Sequence, residues 1–386
     1  MSRKVNLSTA VISSAAAAFI ALAGTTAFFK FSDRDEMYSL LNEVNTVVKN
    51  NFYQDIDEKS VEDGVLSGYM SGLGDKYARY QTPVEYKNTV VSDSGHLIGI
   101  GITVSQTEDG YMKVVELADN SSAGQAGVQV DDIIMSIDGN DVAETGYSQA
   151  VNLIKSGESD TDVLLSIRRN DETMDISVKR VEMEVITSKG QMLNDNTGYI
   201  KITQFNGTTA EQMKAVFAEL TEKGAERIVF DVRNNPGGMV SSVEDCMDMF
   251  LPEGDIAIAT YHDGTTEVIC KSDAEELDIP LVILINENSA SGAELFSASL
   301  RDFGKAELVG VNSYGKGIMQ TTHSLSNGGA VTFTIATYQT VKSECYHGVG
   351  LAPDYEVEQG ENDDIESVDP EKDAQLKKAI EVLDKK

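Results

Sequence analysis

Apolar positions change period twice along this chain. From Met183 onward, short strand-like runs alternate with stretches of helical spacing: GYIKITQF (198–205), RIVFDV (227–232), PLVILIN (280–286), ELVGV and VTFTIATY on one side, and helices opening near Thr208, Val240 and Gly292 on the other. PLVILIN has no polar break, which predicts a strand buried on both faces. Thr208-Thr209-Ala210-Glu211 reads as a capping box, and Gly224 as the stop of the helix it opens. This order predicts an α/β domain with a largely parallel sheet.

Upstream the period is two. Residues 97–104, 111–117, 132–139, 162–169 and 174–180 are strand-like, with one helical stretch, Tyr147 to Lys155, among them. A unit of about 85 residues with this content is large enough to fold as a domain. Ahead of it, Met37, Leu40, Leu41, Val44, Val47 and Val48 fall at three-and-four spacing and predict a helix over 33–51. A second helix is expected over 60–73. After Asp354 the chain turns acidic and reads as a solvated linker, closed by a short amphipathic helix over 374–383.

Residues 8–29 are apolar and follow Arg3 and Lys4, a basic end before a hydrophobic run. Two readings stay open: a signal peptide cut after Ala21-Leu22-Ala23, or a retained transmembrane anchor. Either places the rest of the chain outside the cytoplasm. The net charge of −32 excludes nucleic-acid binding, which needs clustered cations, and disfavours an anionic membrane surface. The three cysteines, Cys246, Cys270 and Cys345, are widely spaced and argue against a disulfide framework or a structural zinc site.

Four segments carry candidate chemistry. In NENSASGAELF (286–296) a buried strand runs through a tight polar loop into a helix, presenting Ser291 beside helix amides that favour developing negative charge; the plainer reading is that Ser289 or Ser291 caps the helix. In NSYGKGIMQ (312–320) glycines flank Lys316, a base for a serine if burial lowers its pKa, with Gln320 able to hold the amine; the plainer reading is a solvated loop. DVRNNPGG (231–238) reads as a turn whose amides point one way, or as an ordinary strand–helix turn. LIGIGI (97–102) offers amides to a chain-terminal carboxylate, or is a plain turn. The four histidines, His96, His262, His323 and His347, carry no motif.

Taken together, these segments resemble the C-terminal processing peptidases, or tail-specific proteases. The resemblance runs from about Met37 to Asp354 through GYMSGLGDKYARYQTPVEY (68–86), GIGITV (99–104), SSAGQAGVQVDDIIMSIDG (121–139), DVRNNPGG (231–238), NSASGAEL (288–295), GKGIMQ (315–320) and GVGLAPD (348–354). It implies a crotonase-like (ClpP/crotonase-type) α/β protease core with an inserted PDZ-like β-rich domain and an N-terminal helical segment. The expected divisions are 1–30, 31–92, 93–182 for the PDZ-like domain, 183–355 for the core, and 356–386. It further implies Ser291 as nucleophile, Lys316 as general base, Gln320 orienting it, the amides of Gly292 and of Gly237 or Gly238 as oxyanion hole, and the loop Leu97, Ile98, Gly99, Ile100, Gly101 as peptide-binding. The implied substrates are protein or peptide C-termini; no metal or organic cofactor is implied. A homodimer formed by the terminal segments 34–60 and 374–386, and a regulatory protein partner, fit the same pattern. Three departures stand out: SSA where the family often has S-P-A, Asp131 before a strand where a glycine is usual, and Val341 where a proline is common. The rival readings are a PDZ scaffold with an inactive core and a crotonase-like acyl hydrolase.

Overall fold

In this computed structural model, residues 35–385 are described apart from Asp119, Ser156, Ala274, Glu275, Glu361 and Asn362. The apolar stretch 8–29 read as signal or anchor lies outside the described residues, and among these no helix is long and apolar enough to cross a membrane.

The unbroken apolar run sits where its composition requires. Leu281–Ile285 is an interior strand of a six-stranded sheet in the order Ser188–Met192, Thr197–Ile202, Arg227–Asp231, Leu281–Ile285, Ala306–Gly310, Tyr355–Glu356. Every neighbouring pair is parallel except the first. Register puts Phe230 opposite Ile283, and Ile283 opposite Leu308, so apolar rows cross the sheet. Ile228, Phe230, Leu281 and Ile283 pack with the helices Thr209–Glu222, Val240–Met247 and Gly292–Asp302. Val229, Val282, Leu284 and Val309 pack with Leu376, Ala379, Val382 and Leu383 of the helix Ala374–Leu383. Both faces are thereby buried, which explains the missing alternation.

A second, antiparallel sheet orders Arg79–Gln81, Ala330–Thr340, Gly254–Tyr261 and Thr266–Ser272, with Ile318–Ser324 also paired to the long strand Ala330–Thr340. Upstream, a β-rich domain orders Ile102–Gln106, Met112–Leu117, Ile133–Ile137, Asp162–Arg169 and Glu172–Lys179 around its own core of Met112, Val114, Ile134, Leu165 and Ile167. The chain divides after Leu66. The unit before it holds the helix Asp35–Asn51 and the start of Glu58–Ser71; Met37, Leu40, Leu41, Val44 and Val47 are exposed along the first helix.

Three expectations need correction, and one departure is accounted for. The single strand expected over 97–104 is two, His96–Gly99 and Ile102–Gln106, because Gly101 turns the backbone at φ +74°, where a Cβ would lie 2.5 Å from Ser121 Cβ. The capping box at Thr208 does not form. Its hydroxyl donates instead to Asn206 Oδ1 (3.1 Å), which also accepts from the Thr208 amide and the Thr209 hydroxyl. Asp131 adopts φ +73°, a left-handed position that aspartate tolerates, and ion-pairs with Lys113 at 2.7 Å. The segment after Asp354 is not solvated throughout, since Tyr355–Glu356 joins the sheet, Val357 and Val368 pack against the core and Asp373 is buried.

Candidate active site

Two braces bend the chain after Leu281–Ile285. The buried Ser289 hydroxyl donates to Val232 O (2.8 Å) and accepts from the Asn286 amide (2.9 Å), and the Ala290 amide donates to Asn235 O (2.9 Å). Ser289 is therefore a strut between this loop and the turn 231–238. Held so, Ser291 takes φ +54°, ψ −114°, a conformation rare for any residue with a side chain. It stands immediately before the helix Gly292–Asp302, whose first amides have no partner within the helix.

The glycines of the turn are required by contact. A Cβ on Gly237 (φ +99°) would lie 2.5 Å from the Gly292 amide nitrogen and 2.8 Å from Ser291 Cβ. One on Gly238 (φ +148°) would lie 1.9 Å from Phe205 O. The Gly237 amide is already committed to Asn235 Oδ1 (2.8 Å). The Gly238 amide has no acceptor among the described residues, and it faces the head of the Gly292 helix, where a Cβ on Gly292 would sit 3.2 Å from it. Two amides, Gly238 and Gly292, thus flank Ser291. Gly238→Ala should lower kcat/KM by about 100-fold or more, because the turn must move by over an ångström to admit the methyl. Peptide-hydrolysis kinetics within threefold of the parent would refute the requirement.

Lys316 arrives from the next loop. Glu294, fully buried in the first turn of the Gly292 helix, joins the two segments. Its Oε2 accepts from the amides of Ser291 (2.9 Å) and Lys316 (2.8 Å), and its Oε1 from the Ser313 hydroxyl (2.5 Å) and the Gly315 amide (2.7 Å). Tyr338 on the long strand adds a second bridge: its hydroxyl donates to Lys316 O (3.0 Å) and lies 3.5 Å from Ser291 Oγ. Burial pushes the Tyr338 phenol well above its ordinary pKa, so it remains a donor.

The Lys316 ammonium is half-buried and makes no hydrogen bond or ion pair among the described residues. It lies 4.6 Å from the centroid of the Tyr77 ring. Burial, then the Arg79 charge, then Lys76, hold its pKa below the usual lysine value, while Tyr314 and Asp75 oppose them. Gln320 is not at the amine; its Nε2 reaches Thr334 Oγ1 (3.3 Å) and Ile318 O (3.4 Å). No histidine bonds Ser291 among the described residues; His96 meets Ser94, and His323 stacks on Phe333.

Leu97, Gly99, Ile100 and Gly101 line a cavity of about 370 Å³, between the edge strand Ile102–Gln106 and Val151, Ile154 and Lys155 of the helix Tyr147–Lys155. Ile98 lies outside it, on a neighbouring groove. Glu294, Tyr338 and Tyr77 were not legible as site residues, because each acts through contacts distant in sequence.

A braced serine at the head of a helix in an α/β core is the arrangement of a serine hydrolase, and the small β-rich domain bears an apolar groove. The family model for peptidase family S41 matches residues 196–357, and that for the PDZ domain matches 113–169. The carboxy-terminal processing protease CtpA of Bacillus subtilis (strain 168) is 31% identical over 357 residues, covering 91% of this chain and 76% of that protein. A probable CtpA-like serine protease of Staphylococcus saprophyticus is 28% identical over 345 residues, covering 89% and 70%. Among solved structures, a photosystem II D1 C-terminal processing protease aligns over 82% of this chain and 86% of its own, with 23% identity and a TM-score of 0.49. This chain belongs to the carboxy-terminal processing serine peptidases of family S41.

Proposed function

We propose that this chain cleaves proteins near their C-termini through a Ser291/Lys316 dyad, with the PDZ domain capturing the substrate tail. The observation that carries this reading is the single buried carboxylate, Glu294, that gathers the nucleophile's and the base's backbones. Neutral Lys316 takes the proton from Ser291 Oγ as the oxygen attacks the scissile carbonyl. The amides of Gly238 and Gly292 receive the oxyanion. The protonated lysine then gives its proton to the departing amine, and water releases the acyl group by the same path in reverse. Gln320 is assigned to the lysine in its catalytic pose. A tail lies along Ile102–Gln106 as an added strand, its last side chain in the 370 Å³ cavity and its carboxylate at the loop 97–101. Tail capture gates the site.

The core is read as crotonase-like, the divisions as 1–30, 31–92, 93–182, 183–355 and 356–386, and the enzyme as extracytoplasmic, secreted or held by its N-terminal apolar stretch. Pairing of two copies is assigned to residues 34–60 alone, since the apolar face of the helix Ala374–Leu383 is covered within its own chain.

Cleavage of casein, run from pH 6 to 10, tests the dyad. Ser291→Ala and Lys316→Ala should each lose activity by about 1000-fold or more. Because the lysine pKa is lowered, parent activity should rise with pH and level off below the range where an ordinary lysine loses its proton. Activity retained in Lys316→Ala would remove the lysine from the mechanism.

A further inference from the structure

The segment joining the helix Glu58–Ser71 to the strand Arg79–Gln81 runs beside Lys316. It is fixed at both ends. Asp75 Oδ2 accepts from the Thr334 amide and Oδ1 from the Tyr77 amide, both at 2.9 Å, and Arg79, Tyr80 and Gln81 pair with Thr332, Val331 and Ala330. Between these anchors Tyr77 presents its ring to the Lys316 ammonium, 4.6 Å from the centroid. The Tyr77 hydroxyl is buried without a hydrogen bond of good geometry, and its nearest polar neighbours are the Lys76 ammonium and the Tyr314 phenol, not Lys316.

We propose that Tyr77 is a positioning residue for the general base: its ring keeps the Lys316 ammonium in a resting pose away from Ser291, and the amine moves to the serine on leaving that ring. This rests on the Ser291/Lys316 reading and adds to it a residue outside both dyad loops. An aromatic face attracts an ammonium, whereas a neutral amine gains nothing comparable from it. Pose and protonation are therefore linked: losing the proton removes the attraction, and keeping the proton keeps the lysine on the ring. The other groups facing this amine are Arg79 and Lys76, which disfavour its charge, Asp75 and the Tyr314 phenol, which favour it, and Tyr338, which binds the Lys316 carbonyl and leaves the amine alone. Lys76 also lies over the Tyr77 ring, 4.8 Å from its centroid, so the ring serves two cations. Displacing the segment would free Lys316, while Lys76 would travel with the ring.

Ring electronics can be changed without changing shape. In the full chain, Tyr77 is replaced by phenylalanine and by phenylalanines carrying one and three ring fluorines, which weaken the face stepwise. Lysine Cε is labelled with ¹³C and titrated by NMR, with Lys316→Arg giving the assignment. Tyr77→Phe is the reference for the fluorinated series, because losing the hydroxyl also alters its contacts with Lys76 and Tyr314, which themselves act on Lys316. Fluorination should lower the Lys316 midpoint stepwise, by roughly 0.4 to 1.5 pH units in total, the size of one cation–aromatic contact. Labelling of Ser291 by a fluorophosphonate, read below that midpoint, should rise in the same order. A midpoint that stays put or climbs across the series overturns the proposal, and thermal melting of each variant verifies that the fold is kept. Lys316→Ala separates the two readings. If it labels like the parent, the dyad is wrong; if it loses labelling while the fluorinated series is flat, only the role of Tyr77 falls.

Discussion

Glu294→Ala should lose about 100-fold in kcat and about 3 kcal/mol or more in stability. The side chain is fully buried and accepts four hydrogen bonds, from Ser291, Ser313, Gly315 and Lys316. Removing it strands four donors in the interior, each costing about 1–3 kcal/mol if nothing replaces the acceptor. Water entering the new space offsets part of this, which is why the expected total sits near the low end. The catalytic loss has a separate origin. The bonds from Ser291 and Lys316 meet on one oxygen, so they fix the spacing of two loops that must cooperate within hydrogen-bond reach, where an error of an ångström costs about 100-fold. Urea unfolding and peptide hydrolysis measure the two effects independently. Loss of stability with unchanged kcat would make Glu294 a structural residue only.

A second large effect is expected at the start of the turn 231–238. Arg233 is buried and bonds Asp231 through Nε (3.0 Å) and Nη2 (2.6 Å), Asp373 through Nη2 (2.7 Å) and Gln375 through Nη1 (2.9 Å). Tyr199 completes the network by donating to Asp231 Oδ2 (2.7 Å). Asp373 also caps the helix Ala374–Leu383 by accepting from the Leu376 amide (3.0 Å). Asp373→Ala removes a cap and leaves Arg233 half-compensated, costs of about 1 and about 3–5 kcal/mol. The melting temperature should fall by roughly 10 °C or more, at ~2–4 °C per kcal/mol for a unit of this size. Replacing Arg233 and both aspartates by apolar residues should cost less than the single change, because no buried charge is left alone. Calorimetry of the two variants decides it: a shift of under two degrees for Asp373→Ala would mean that the helix is held by Leu376, Ala379, Val382 and Leu383 alone.

How much of this could be read from the residues differs by element. Leu281–Ile285 was legible because burial on both faces leaves an unmistakable run, and the Ser291 loop because a strand, a polar turn and a helix follow one another without interruption. The hairpin Gly254–Tyr261 and Thr266–Ser272 was not, since its alternation is broken by a bulge between Asp255 and Ile258. Thr208 failed as a cap because its own backbone is already helical (φ −107°, ψ −9°), and Asn206, two residues earlier, accepts the Thr208 amide instead. Glu294 occupies the position of an ordinary first-turn acid, and its partners Ser313 and Lys316 lie 19 and 22 residues on. Tyr77 lies farther still from the lysine it faces. Local pattern reports periodicity and turn chemistry; it does not report which distant donors converge on one side chain.

The long strand Ala330–Thr340 has a consequence for how the enzyme fails. It pairs with Arg79–Gln81, Ile318–Ser324 and Gly254–Tyr261, and it carries Thr334 and Tyr338. Ser291, Lys316 and the segment carrying Tyr77 are therefore moored to one piece of backbone. Their amides should exchange with solvent as a single cooperative block. Heating would then yield two populations, fully competent molecules and inert ones, with no half-working protease between them.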